Sequence, residues 1–142
     1  MSRTPLIAAM LFAGLMAGPA FAASLDFHAD LKGASEVPAK TTAGTGQAVV
    51  TLDTTTKQLT YSVTFDKLSG PATAAHFHGP AAPDANAAPV VPLPAPVVSP
   101  YHGTATLTDA QIADLQAGKW YVNVHTAANP GGEIRGQVTA GK

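Results

Sequence analysis

Cysteine is absent from all 142 residues. That excludes disulfides, thiolate metal sites, thiol catalysis and a lipidated-cysteine anchor. Charge is scarce as well, at 12% of the chain, and eight basic residues stand against nine acidic ones. The chain therefore offers no basic footprint for nucleic acid or anionic lipid. Without disulfides, stability must come from the core, from association or from a bound ligand. Long apolar runs are lacking too. Leu6–Met16 (LIAAMLFAGLM) falls short of the roughly 20 residues that span a bilayer. It follows Arg3 and precedes Gly18-Pro19 and the small-residue triplet Ala20-Phe21-Ala22. This order of features predicts a leader peptide, residues 1–22, cleaved after Ala22 to release a periplasmic or secreted domain over 23–142. The mature chain keeps seven basic residues, because Arg3 leaves with the leader. Its length suits one domain.

What is present is alternation. Leu25–Lys32 (LDFHADLK) alternates apolar and polar residues without a break, as a half-buried strand does. Gly33–Gly46 is rich in turn formers. Gln47–Asp53 and Gln58–Asp66 read as two strands joined by the short turn 54–57, a hairpin. Ala74–His78 is the next strand. Gly79–Pro100 then carries seven of the twelve prolines, which excludes a central strand. It is expected to run as a mobile, extended surface loop, with Val90-Val91 able to pair at an edge. His102–Leu107 is a strand. Thr108 and Gln111 have the spacing of a capping box ahead of a short helix that Gly118 ends. Trp120–Thr126 and Glu133–Thr139 are the last strands, separated by the turn AANPGG. The fold class is all-β: an antiparallel Greek-key sandwich or barrel of seven to eight strands with one short helix. Trp120, Tyr61, Phe65 and Phe77 read as core.

The chemistry concentrates in histidine. There are five, and His76-Phe77-His78 sets two imidazoles on one strand face with Cβ atoms about 6–7 Å apart, from a rise of about 3.3 Å per residue. His125 shares a face with Tyr121 and Asn123, opposite Val122 and Val124. These three histidines form a candidate site for a divalent transition ion, copper or zinc. The competing reading makes them ordinary polar-face histidines. His28 and His102 lie in strands and remain outside candidates. Glu133 and Arg135 are read as a solvated pair on the last strand, or else as groups that orient His125. No Ser/His/Asp arrangement, G-x-S-x-G or H-E-x-x-H is present, and no carboxylate pair supports acid–base chemistry.

Three stretches carry a family likeness: LKGASEVP at Leu31–Pro38, HFHGPA at His76–Ala81, and LQAGKWYVNVHTAANPGGEIRGQV at Leu115–Val138. Together they resemble the CHRD domain, a module named from chordin and also found singly in secreted bacterial proteins. The positions that match its motif are His76, His78, Gly79, His125, Asn129, Pro130, Gly132, Glu133, Arg135 and Gly136. The resemblance implies an exported β-domain with a binding role, and it carries over no catalytic residues. Two classes of function follow. One is a binding module for a metal ion, or for a protein partner met through a sheet face or the proline-rich loop. The other is a copper-dependent redox enzyme of superoxide dismutase-like type, suggested by the H-x-H spacing, although that enzyme's further histidines, aspartate and disulfide are missing.

Overall fold

The computed structural model describes residues 23–141. Residues 1–22, where a leader peptide is expected, lie outside the described residues. Eight strands form in chain order: β1 (Ser24–Lys32), β2 (Thr45–Asp53), β3 (Gln58–Asp66), β4 (Ala72–His78), β5 (Pro89–Pro92), β6 (Tyr101–Thr106), β7 (Trp120–Thr126) and β8 (Ile134–Ala140). A single turn of 3-10 helix follows β1 at Gly33–Ser35, and one helix, α1 (Asp109–Gln116), precedes β7. β1, β3 and β8 coincide with the period-two runs, whereas β5 (PVVP) has no such pattern. α1 starts at the capping box: the Gln111 backbone N–H donates to Thr108 Oγ1, and the Thr108 N–H donates to the Gln111 side chain.

All pairings are antiparallel, in the order β5-β4-β7-β8-β1-β2-β3-β6. The chain makes a meander of β1 to β3, then crosses to the far side of the sheet for β4 and β5. It returns with β6 beside β3 and goes back with β7 beside β4. The sheet curls on itself into a barrel-like form. Tyr61 of β3 and Phe77 of β4 have four strands between them in the sheet, yet their ring centres are 5.1 Å apart, edge to face. Near the open seam, Tyr101 Oη donates to the Pro94 carbonyl at 3.0 Å.

The inward positions of every wall strand are apolar. Phe27, Leu31, Val50, Leu52, Leu59, Val63, Phe77, Trp120, Val122, Val124, Ile134 and Val138 are all buried in one cluster. Each such side chain contributes roughly 1.5–3 kcal/mol of burial free energy. The core reading of Tyr61, Phe77 and Trp120 holds, and Phe65 is partly buried against the same cluster.

The outer face divides in two. On β1, β2, β3 and β6 it is wet: His28, Gln47, Thr60 and His102 are exposed. On β4, β7 and β8 it is covered, because the chain after β4 folds back over it. This corrects the expectation that the segment, apart from an edge pairing near Val90-Val91, runs as an extended surface loop. Ala81, Val91, Leu93 and Val97 are buried. The segment is also anchored: the Ala81 N–H donates to the Lys119 carbonyl, and the Leu93 N–H donates to that of Ala75. β5 does pair at the sheet edge, where its flanking prolines need give no donor to an outer neighbour. Proline removes donors but leaves an extended chain free to bury alternate side chains, and that is what this segment does.

Candidate functional site

β4 and β7 are neighbours, and their register places His78 opposite Tyr121, His76 opposite Asn123 and Ala74 opposite His125. Residues of one parity on both strands therefore share the outer face. His76, His78 and His125 converge there, with one ring nitrogen from each lying within 4.8 Å of the others. His76 Nδ1 is 3.1 Å from His125 Nε2. His76 and His125 are half-buried, and His78 is buried.

Two of the rings are held by backbone carbonyls. His78 Nδ1 donates to the Ala87 carbonyl at 2.9 Å, and His125 Nδ1 donates to the Pro130 carbonyl at 2.9 Å. A carbonyl only accepts, so the proton sits on Nδ1 in both rings, and a neutral ring keeps its lone pair on Nε2. Both holding groups come from loops with turn chemistry. Ala87 lies in the folded-back segment after β4. Pro130 lies in the AANPGG turn, where Thr126 and Asn129 exchange backbone hydrogen bonds and Gly132 takes φ +125°.

Aromatic stacking fixes His78 further. Its ring lies parallel to that of Tyr121, with centres 4.6 Å apart. The Arg135 guanidinium carbon stands 3.5 Å from the centre of the same Tyr121 ring. Tyr121 is on β7, between β4 and β8, so the imidazole and the guanidinium cover its two faces. Burial lowers the pKa of both His76 and His78 from 6.5. For His76 the neighbouring His125 and His78 add to the effect. For His78 the bonds to Ala87 and Asn123 oppose it, and His125 and Arg135 reinforce it. The rings are thereby favoured in the neutral form.

Glu133 and Arg135 are not a solvated pair. Their exposures are 0% and 1%, and they serve different ends of the wall. Arg135 donates to Asn86 Oδ1 and to the carbonyls of Ala82 and Ala85, tying the folded-back segment to β8. Glu133 lies just before β8. It accepts from Thr42 Oγ1, from the Ser69 N–H and Oγ, from Thr126 Oγ1 and from Asn129 Nδ2. Burial alone pushes its carboxyl up, but the bonds from Ser69, Thr126 and Thr42 outweigh it and bring the pKa down to about 2. Glu133 touches no imidazole. Through Asn129 and Thr126 it holds the turn that presents Pro130 to His125.

Sequence reasoning singled out the three histidines and passed over Tyr121, Asn123 and Glu36. Asn123 is 3% exposed, and its Oδ1 lies 3.0 Å from His78 Nε2. Glu36, just after the 3-10 turn, is 6% exposed; burial raises its pKa against the pull of Arg135 and a hydrogen bond from Asn123. The alternation Tyr121, Asn123, His125 was the available signal, since it puts all three on one face. His28 and His102 lie on the wet half of the barrel and do not join the cluster.

Fold and site together define a small antiparallel β-barrel-like domain with a three-histidine cluster on its covered wall. The family model of the CHRD domain matches residues 27–138, so the chain belongs to the CHRD domain family. Searches of curated proteins and of solved structures return no match. Among the described residues, no helix is long and apolar enough to cross a membrane.

Proposed function

We propose that this chain is an exported CHRD-domain binding protein that takes up a divalent transition ion, copper or zinc, through His76, His78 and His125. The observation that carries the reading is the pair of carbonyl contacts at His78 and His125. Metal-binding histidines characteristically give their other ring N–H to such an acceptor, which sets tautomer and orientation. Two further features support it. Burial favours the neutral form of His76 and His78, which is the ligating form. A His-only nitrogen set with no thiolate suits copper(II) or zinc. The ring nitrogens lie within 4.8 Å of one another, against about 3.4 Å for ligands sharing a tetrahedral zinc ion.

The test is titration of the metal-free mature protein with copper and zinc, together with metal analysis of the protein purified from its exported form. His76→Ala, His78→Ala and His125→Ala are each expected to weaken binding. Unchanged affinity in all three would remove the histidines as the site, leaving an extracellular protein-interaction domain without metal. Superoxide removal by the copper-loaded protein, lost in the same variants, would instead favour the redox-enzyme reading.

A further inference from the structure

β6 and β5 are the two edge strands of the sheet. The β3–β6 register decides which way each backbone group of β6 points. The Leu107 N–H donates to the Lys57 carbonyl at 2.9 Å, one step beyond the Gln58–Thr106 pair. Residues opposed in an antiparallel ladder alternate between pairs that exchange both backbone hydrogen bonds and pairs that exchange none. Tyr101, Gly103 and Ala105 therefore turn their N–H and C=O towards β3. His102, Thr104 and Thr106 turn theirs away from it, out of the sheet edge, and all three residues are exposed. Among the described residues, no backbone group bonds to these outward N–H and C=O groups.

The two edges differ in how they are guarded. β5 is four residues long and has proline at both ends. Prolines, lysines and bulges are the usual devices that keep a sheet edge from pairing with another chain. β6 has none of them: its sequence is YHGTAT, and it pairs with β3 without a shift of register. The charges just past its end, on Lys57 and Asp109, are bonded to each other at 2.7 Å. The large apolar side chains left exposed, Val49 and Val98, lie on the same side of the barrel. Val98 comes just before β6, and Val49 shares a cross-strand row with Ser62 and His102.

We propose that the β6 edge is an interface with a second copy of this chain, the two β6 strands pairing antiparallel about a twofold axis at Thr104. In that register Thr104 stands opposite its own copy, and His102 stands opposite Thr106 of the second copy. Each outward N–H and C=O then finds a partner that a free edge leaves to water. The choice of a second copy follows from the strand itself. An antiparallel edge is complementary to itself. The opposed side chains are threonine against threonine and histidine against threonine, so no like charges face each other. The pairing of one short strand is small beside a standard interface of about 1,600 Å², so the dimer is reversible and concentration-dependent. β4 and β7, which carry the histidines, take no part, so the inference is independent of the metal reading.

Sedimentation equilibrium of the mature protein, from about 1 μM to about 1 mM, covers the range of weak dimers. Wild type should pass from monomer to dimer as concentration rises. Thr104→Pro should stay monomeric throughout. The Thr104 N–H faces away from β3, so proline there costs the ladder no bond but blocks the outer edge. Thr104→Lys should also stay monomeric, since like charges would meet on the axis. Thr104→Cys adds a thiol to a chain that has none. Opposed residues of a bond-exchanging pair have Cα atoms about 5.5 Å apart, within reach of a disulfide. Mild oxidation should therefore cross-link Thr104→Cys into dimers and leave Thr60→Cys, exposed on the neighbouring strand, largely monomeric. Should Thr104→Pro fail to fold by circular dichroism, Thr104→Lys and the cysteine variants decide. A wild type that stays monomeric at every concentration overturns the proposal and leaves the edge to an extended peptide of another protein. A dimer that persists in folded Thr104→Pro or Thr104→Lys, or that cross-links equally through Thr60→Cys and Thr104→Cys, lies elsewhere and overturns it too.

Discussion

The guanidinium of Arg135 and the ring of Tyr121 are in face contact at 3.5 Å, and the imidazole of His78 covers the other face of that ring. The three side chains come from three adjacent strands, β8, β7 and β4, so they brace the covered wall across its width. Arginine suits the position because its planar fork reaches Asn86, Ala82 and Ala85 while its flat face stacks. Lysine can do neither. Arg135→Lys is expected to destabilise the fold by about 2 kcal/mol, from lost charged hydrogen bonds and stacking. It should also loosen the segment that carries Ala87. Chemical denaturation measures the first effect, and amide exchange across residues 81–88 measures the second.

Glu133 predicts acid sensitivity. Its carboxyl sits at about 2 in the fold, against an ordinary 4.5. A depressed folded value means the stabilisation is complete above about 4.5 and is lost as the pH falls towards 2. Wild type should therefore lose stability steeply between pH 4.5 and 2. Glu133→Gln should show a flatter profile there and a stability lower by roughly 3 kcal/mol at neutral pH, since the donors of Ser69, Thr42 and Thr126 would face a weaker acceptor. Thermal melts of both proteins across that range provide the comparison.

The histidines act in the same direction, at a higher pH. Burial holds His76 and His78 neutral below their ordinary 6.5. Once the pH drops under 6.5, the unfolded chain takes up protons that the folded one refuses, so stability declines as the pH falls through that window. Metal should oppose this decline, because it binds the neutral rings of the folded state only. Proton competition should weaken copper affinity as the pH falls, since the ligating rings must be neutral. Titrations at a series of pH values between 5 and 8 test both statements.

Gly132 is the backbone position on which the site leans most. Its φ of +125° is one that L side chains avoid, and a Cβ there would collide with Glu36 and Asn123. Gly132→Ala is expected to cost about 2–4 kcal/mol. It should also weaken metal uptake, because it displaces the amide beside His78. Gly131→Ala, one residue earlier, meets open space and should be close to neutral. The pair of variants separates local collision from a general effect on the turn.

If the leader is processed as its pattern indicates, the exported protein begins at Ala23, one residue before β1. N-terminal sequencing of secreted material checks this. A start elsewhere would move the boundary of the mature domain.

Alternation by itself determined the all-β class, the hairpin of β2 and β3 and the boundaries of β3 and β7, and the Thr108–Gln111 spacing determined the capped helix. These features rest on local chemistry, where one residue's neighbours along the chain decide its state. The H-x-H spacing likewise marked His76 and His78 as sharing a face, and parity put His125 on the outer side of its own strand. Only the tertiary structure decided the rest. Period two says which side chains share a face but not what lies across it, so Glu133 and Arg135 read as solvated when both are buried. The proline-rich segment has no periodicity to reveal that it folds back over β4, β7 and β8. That return covers Tyr121 and Asn123, brings the Ala87 carbonyl to His78, and turns a polar sheet face into an enclosed cluster. The meeting of β4 with β7, more than forty residues apart in the chain, is set by the crossing order of the barrel, which sequence spacing does not encode.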